Sequence, residues 1–243
     1  MSKDQIYANE AAPISAFRFD DSVAAVFEDM INRSVPGYAA SLAGIAGFAR
    51  ALVPAHGRCY DLGSSLGAAT LAICQGLDDR PATIVAIDNA PAMIRQCAND
   101  PRFSDRAQDI DLVEANIADY GLQPCDLVVM NYTLQFIEPG ARHALLERIF
   151  AALKPGGALL ISEKFRFEDP RTHALLTELH LDFKRSNGYS ETEIAGKRAA
   201  LENVLIADTR EHHIERLQQA GFARVTLWQA TLNFGSLIAF KDD

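Results

Sequence analysis

At 243 residues, with 49% hydrophobic side chains, the chain can bury a sizeable core and suits one domain carrying an insertion or cap. A formal net charge of -9 argues against direct nucleic-acid contact, because phosphate binding needs clustered Lys and Arg, and favours a small-molecule substrate. No apolar run approaches the roughly 20 residues that span a bilayer, and MSKDQIYANEAAP lacks a signal-peptide core, so a cytoplasmic location without a membrane partner is expected.

Residues before about Asp20 carry few helix signals, with Phe17 and Phe19 flanking Arg18, and suit a disordered arm or a lid over a ligand. From Asp21, with Ser22 as N-cap, Val23, Val26, Phe27, Met30 and Ile31 recur at helical spacing. Ser34-Val35-Pro36-Gly37-Tyr38 breaks that helix, and an Ala-rich helix then runs to about Val53. Tyr38 at this junction reads, on its own, as a half-buried aromatic.

Strands and helices then alternate. Cys59 to Leu62 is the first strand and Gly67 to about Gln75 its helix. Thr83 to Ile87 is the second strand, ending in Asp88, with Pro91 opening the next helix. Ile110 to Glu114 and Asp126 to Met130 are the third and fourth strands, the latter ending at Asn131. Arg142 to Leu153 is an amphipathic helix stopped by Lys154-Pro155-Gly156-Gly157, and Ala158 to Ser162 is the fifth strand. Continuous apolar strands separated by helices indicate a parallel sheet covered on both faces. From Pro170 to about Ala207 the pattern is helical, charged and without strands, which suits a cap. Asp208 then N-caps a helix to Ala220, stopped by Gly221, and Val225 to Trp228 pairs with Ser236 to Phe240 as a closing antiparallel pair.

The chain is organised around Arg58 to Ile73, RCYDLGSSLGAATLAI. Its glycines at Gly63 and Gly67 permit a tight turn and close approach of a ligand. Ser65 stands where the dinucleotide fingerprint needs its second glycine, and no Gly-Lys-Ser/Thr follows, so neither a nicotinamide dehydrogenase nor a P-loop is supported. Ligands of an open α/β sheet bind beyond the carboxyl ends of its strands, where Gly63 to Ser65, Asp88-Asn89, Asn116-Ile117 and Asn131 fall. Asp88, about 20 residues past the turn, suits the hydroxyls of a ribose, with a helix N-cap as its structural alternative. The four cysteines show no C-x-x-C pairing and read as buried free thiols, and Cys125, ahead of its strand, is badly placed as a nucleophile. No histidine pair has metal-ligand spacing. His212-His213 reads as a solvated helix face, and His180 faces either a pocket or water.

The Asp61-to-Gly63 spacing is similar to the first motif of S-adenosylmethionine-dependent methyltransferases. The Asn/Asp-Pro-Pro-Tyr motif of many amino-group methyltransferases is broken by Thr133 and Leu134. SVPGY, YDLGSSLGAATLAI, VAIDNAPAMI, NYTLQFIEP, LKPGGALLISEKF, FKRSNGYSETEIAGKR and NFGSLIA together resemble the carboxy-S-adenosyl-L-methionine synthase family over nearly the whole chain. The resemblance implies a class I methyltransferase (Rossmann-like) fold: a mostly parallel seven-stranded sheet with helices on both faces, N-terminal helices and a helical cap. One methyltransferase-like domain is then expected over 1-243, with an arm and helices at 1-57, a cofactor-binding core at 58-169, a cap at 170-207 and the closing elements at 208-243.

The family joins a carboxyl group from prephenate to the methyl carbon of S-adenosyl-L-methionine, releasing phenylpyruvate and water and needing no metal. Its product, carboxy-S-adenosyl-L-methionine, supplies a tRNA carboxymethyltransferase that modifies wobble uridine. Its binding residues map onto Tyr38, Gly63, Ser64, Ser65, Asp88, Asn89, Asn116, Ile117, Asn131 and Arg198, with Arg198 also expected to act in catalysis by holding a carboxylate. Many methyltransferases carry Asp where Asn116 stands. The family usually forms homodimers. A conventional small-molecule methyltransferase shares every cofactor residue and is the alternative; a non-catalytic adenosyl-ligand sensor, or an accessory subunit of a tRNA-modifying enzyme, is a third reading. Without the resemblance, Lys197-Arg198 reads as a solvated basic helix end.

Overall fold

The computed structural model describes residues 3–9, 15–104 and 108–242. Parts of the N-terminal arm, residues 1–2 and 10–14, lie outside the described residues, so the expectation of a disordered arm or a lid falls partly outside them. There, Phe17 is buried, and Phe19 makes edge contacts with Phe17, Phe27 and Phe136.

The single helix expected from Asp21 is two, α1 (Asp21–Ala24) and α2 (Phe27–Ser34). Asp20, not Ser22, caps α1, its carboxylate accepting from the amides of Ser22 and Val23. Gly37, at φ +80°, allows the turn into α3 (Tyr38–Leu52).

The sheet is built from β1 (Gly57–Leu62), β2 (Ala82–Asp88), β3 (Asp109–Glu114), β4 (Cys125–Asn131), β5 (Leu153–Lys164), β6 (Arg224–Thr231) and β7 (Phe234–Phe240). Its order is β3-β2-β1-β4-β5-β7-β6, with the first five strands parallel and β7 antiparallel to both neighbours. This is the expected seven-stranded, mostly parallel sheet. Strand β5 is longer than its apolar run suggested, because Leu153 pairs with Cys125 ahead of the Pro-Gly-Gly irregularity.

Alternation along each strand sends side chains to opposite faces. Tyr60, Leu62, Val128 and Met130 pack with α6 (Arg142–Ala152) and α9 (Arg210–Gln219) through Leu145, Leu146, Ile149 and Leu217. Cys59, Leu127 and Val129 pack with α3 and α4 (Ala68–Leu77) through Ile45, Ala49, Ala69 and Ile73. A Cβ on Gly76 would meet the Ala46 carbonyl oxygen at 2.0 Å, so glycine sets how closely α3 and α4 approach. The four cysteines are buried and free.

Helix α5 (Pro91–Ala98) covers β2 and β3. The stretch after β5 carries α7 (Pro170–Ser186) and α8 (Glu191–Leu201). Thr209, not Asp208, caps α9; Asp208 instead accepts from Arg142 at 2.8 Å and Arg216 at 2.7 Å. Arg142 is wholly buried, and its charge outbids a cap for the Asp208 carboxylate.

Candidate functional site

A cavity of about 550 Å³ opens at the carboxyl ends of the parallel strands. Tyr38, Gly63, Ser64, Ser65, Asp88, Asn89, Asn116, Ile117 and Asn131 all line it. They arrive from separate elements and meet because each parallel strand delivers its following loop to the same edge.

The glycine turn after β1 is shaped by left-handed backbone at Gly63 (φ +76°), Ser65 (φ +51°) and Gly67 (φ +71°). A Cβ on Gly63 would lie 2.4 Å from the Thr133 methyl group, so β4's following loop closes directly over the turn. The Gly63 and Ser64 amides both donate to the Ile87 carbonyl, at 2.8 and 3.0 Å. Asp88 accepts from the amides of Ser65 and Ala90, each at 2.8 Å, and burial raises its pKa above the usual carboxylate range. The N-cap of α5 is Ala90, without a side-chain bond, so Asp88 is not its cap.

Asp61 is buried beneath the turn. Its Oδ2 accepts from the Thr70 amide and hydroxyl at 2.9 and 2.7 Å, and burial pushes its pKa up to about 6. Its Oδ1 has no partner, nor do the buried Ser64 Oγ and Asn131 Oδ1. Buried polar atoms left unpaired are costly, and three of them lining one cavity fit a polar ligand such as an amino-acid-bearing nucleoside. Asn116 Oδ1 accepts from the Ala118 amide, which leaves its side-chain NH₂ available to a base edge, beside buried Ile117.

Tyr132, immediately after Asn131, is buried with φ +64°, a conformation that costs a bulky residue energy and that marks functional sites. Its amide donates to the Ser162 carbonyl at 2.7 Å. Glu163 holds the following turn by accepting from the amides of Leu134 and Gln135 at 2.8 and 2.9 Å. Tyr38, Tyr132, Phe234 and His180 form a wall of successive ring contacts 4.9–6.1 Å apart.

Arg198 is exposed and does not line this cavity; Lys164 and Lys184 do, and burial, with a smaller part from the Arg198 charge, lowers the pKa of both. Lys197 is the buried member of the pair, contrary to a solvated reading, and donates to Ser34 Oγ at 3.0 Å. His180 faces the cavity and bonds the Ser34 carbonyl at 2.8 Å. His212 is exposed but His213 is buried, which corrects the solvated face expected for both. The segments LKPGGALLISEKF and FKRSNGYSETEIAGKR bring two further cavity residues, Lys164 at the end of β5 and Lys184 on α7, whose signal in the sequence is only a charge at the end of an apolar strand and another on a helix. Cys125 opens β4 at the end opposite Asn131, away from the site. Among the described residues no group of His, Cys, Asp and Glu could hold a metal ion, and no helix is long and apolar enough to cross a membrane.

Residues 60–157 match the family model of a methyltransferase domain. The chain is 47% identical over 241 residues to a protein of Shewanella baltica named carboxy-S-adenosyl-L-methionine synthase, covering 99% of each. An Escherichia coli protein of the same name is 46% identical over 239 residues, covering 98% of this chain and 97% of that one. The fold is similar to that of human N-acetylserotonin methyltransferase solved with SAM, with TM-score 0.61 and 21% identity over 92% of this chain and 56% of that one. A methyltransferase solved with the Trm112 activator of Haloferax volcanii gives TM-score 0.62 at 15% identity, covering 94% of this chain and all of that one. These likenesses establish the class I methyltransferase fold.

Proposed function

The chain belongs to the carboxy-S-adenosyl-L-methionine synthase family, and from that premise we propose that it converts S-adenosyl-L-methionine and prephenate to carboxy-S-adenosyl-L-methionine, phenylpyruvate and water. The observation that carries the reading is the cavity, which has unpaired polar atoms at the glycine turn and cationic side chains at its far end. The first suits the cofactor and the second suits a dicarboxylate.

In this reading Asp88 takes the ribose hydroxyls, Asn116 and Ile117 the adenine, and Gly63, Ser64, Ser65, Asn89, Asn131 and Tyr38 the remainder of the cofactor. Prephenate loses carbon dioxide and its hydroxyl as phenylpyruvate forms. The departing hydroxyl takes a proton from the cofactor methyl group and leaves as water. The sulfonium stabilises the resulting ylide, whose carbon bonds the carbon dioxide. No side-chain nucleophile is required; the protein positions the partners and excludes water. Arg198 is assigned by the family resemblance to a carboxylate, and the positive field it shares with Lys164 and Lys184 supports that placement. A homodimer in the cytoplasm, handing product to a tRNA carboxymethyltransferase, completes the proposal.

Incubating the protein with S-adenosyl-L-methionine, with and without prephenate, tests it by mass spectrometry. The expected result is a prephenate-dependent gain of one carbon dioxide unit on the cofactor, with phenylpyruvate formed. A bound but unchanged cofactor refutes the reading and returns the conventional methyltransferase.

A further inference from the structure

The carboxyl edge of the sheet is ordered in space as β3, β2, β1, β4, β5, and the residues that follow these strands form a sequence along the cavity. Asn116 follows β3, Asp88 ends β2, the glycine turn follows β1 and Asn131 ends β4. The next position along the edge is Lys164, the last residue of β5. At about 4.8 Å between strands, β5 lies roughly 10 Å from β1, so Lys164 stands beyond the glycine turn along the same edge.

Charge is segregated along the same line. The acids Asp61 and Asp88, buried and half-buried, belong to β1 and β2, and Glu28 on α2 pairs with Arg102, whereas Lys164, Lys184 and Lys197 gather at the other end. Lys197 has Ser34 Oγ and, at 3.9 Å, Asp4. The ammonium groups of Lys164 and Lys184 have neither a hydrogen bond nor an ion pair among the described residues. Helix α7 shows the same priority: its buried residues are His180 and Lys184, four apart on one face, while Leu175 and Leu179 are exposed. Packing alone would have turned the leucines inward.

Lys184 is buried and Lys164 half-buried, and ammonium groups withdrawn from water without counter-ions are costly unless something arrives to pair with them. Burial, with repulsion from Lys164 and Arg198, pushes Lys184 down to about 8, and burial with the Arg198 charge lowers Lys164 as well, a strain that a bound anion relieves. Beside them His180 and Phe234, ring centroids 4.9 Å apart, supply a flat apolar wall.

We propose that Lys164 and Lys184 form the anion-binding subsite for the second substrate, each pairing with a carboxylate of a cyclic dicarboxylate laid against His180 and Phe234. The assignment rests on the proposed reaction and adds to it two substrate-binding residues that act beside Arg198. It also explains why two cations without a partner among the described residues stand together in this cavity.

The test titrates prephenate into the protein saturated with S-adenosyl-L-homocysteine, which has no methyl group to carboxylate; turnover with S-adenosyl-L-methionine is measured separately. K164M and K184M should each weaken prephenate binding roughly tenfold or more, and leave S-adenosyl-L-homocysteine affinity within about twofold of wild type. Wild-type prephenate affinity in both variants, with wild-type turnover intact, overturns the subsite and leaves the reaction standing. An equal loss of S-adenosyl-L-homocysteine affinity overturns a role confined to the second substrate. A wild-type protein that neither binds prephenate nor carboxylates the cofactor overturns the reaction, and the subsite with it.

Discussion

Asp88 accepts a 2.8 Å hydrogen bond from the Ser65 amide, so the carboxylate that ends β2 is braced against the turn that follows β1. Its other oxygen is held at the same distance by the Ala90 amide. The carboxylate is thereby oriented before any ligand arrives, and Ser65 is held at its unfavourable φ of +51°.

Removing this carboxylate should cost binding twice, through its own bonds to the ligand and through the loosened turn. Charge-assisted bonds contribute about 1.5–3 kcal/mol each, so Asp88→Ala is expected to weaken S-adenosyl-L-homocysteine binding by roughly one to two orders of magnitude or more. Asp88→Asn keeps the shape but sets an NH₂ against one of the two backbone amides, and should fall between. Isothermal titration reads both; an alanine variant with wild-type affinity would remove Asp88 from the site.

Arg142 ties the stretch between α8 and α9 to the loop after β4. Its guanidinium donates to the carbonyls of Ile137, Gln135 and Ile206 and to Asp208 at 2.8 Å, with no exposed surface. Arg142→Leu strands these acceptors and is expected to destabilise the protein by about 3–5 kcal/mol, with little recovery in Arg142→Lys because an ammonium cannot span the fork. Urea denaturation is the measurement, and an unchanged midpoint for the leucine variant would refute the role.

His213 makes stability depend on pH. It is buried beside Phe165 with neither ring nitrogen hydrogen-bonded, and burial pushes it down to about 4, against Asp208, which pulls it up. The unfolded chain, with its histidines near 6.5, therefore binds more protons, and stability must fall as pH drops from 6.5 through 4, by about 3 kcal/mol in all. His180, pushed down to about 3, works in the same direction. Melting temperatures of His213→Leu should decline less than wild type between pH 7 and 4.5. Parallel curves would show that His213 is not the titrating group.

Much of the architecture was legible because it rests on local rules. Apolar runs ending in Asp88 and Asn131, Pro91 opening a helix and glycines at Gly63 and Gly67 are each one-dimensional signals, and the parallel sheet places their ends together. The cap of α9 falls one residue from its expected place because the choice depends on distant competition: Arg142, 66 positions away in sequence, claims Asp208. That of α1 falls two residues earlier for a local reason, since the Asp20 carboxylate reaches the Ser22 and Val23 amides. Adjacent His212 and His213 differ for a related reason, since only the packing of α9 on the sheet decides which side is inside.

The amino-acid sequence by itself determined the order of strands and helices, the glycine turn, the polar residues at the strand ends and the family resemblance, all of which depend on neighbours in the chain. Tertiary structure alone decided which charges are buried. It turned His180 and Lys184 inward on α7, buried Lys197 while leaving Arg198 exposed, and brought Lys164 to the edge beyond Asn131. Charge in a sequence has no depth; whether a lysine is solvated or held unpaired in a cavity is fixed by elements that meet only when the chain is folded.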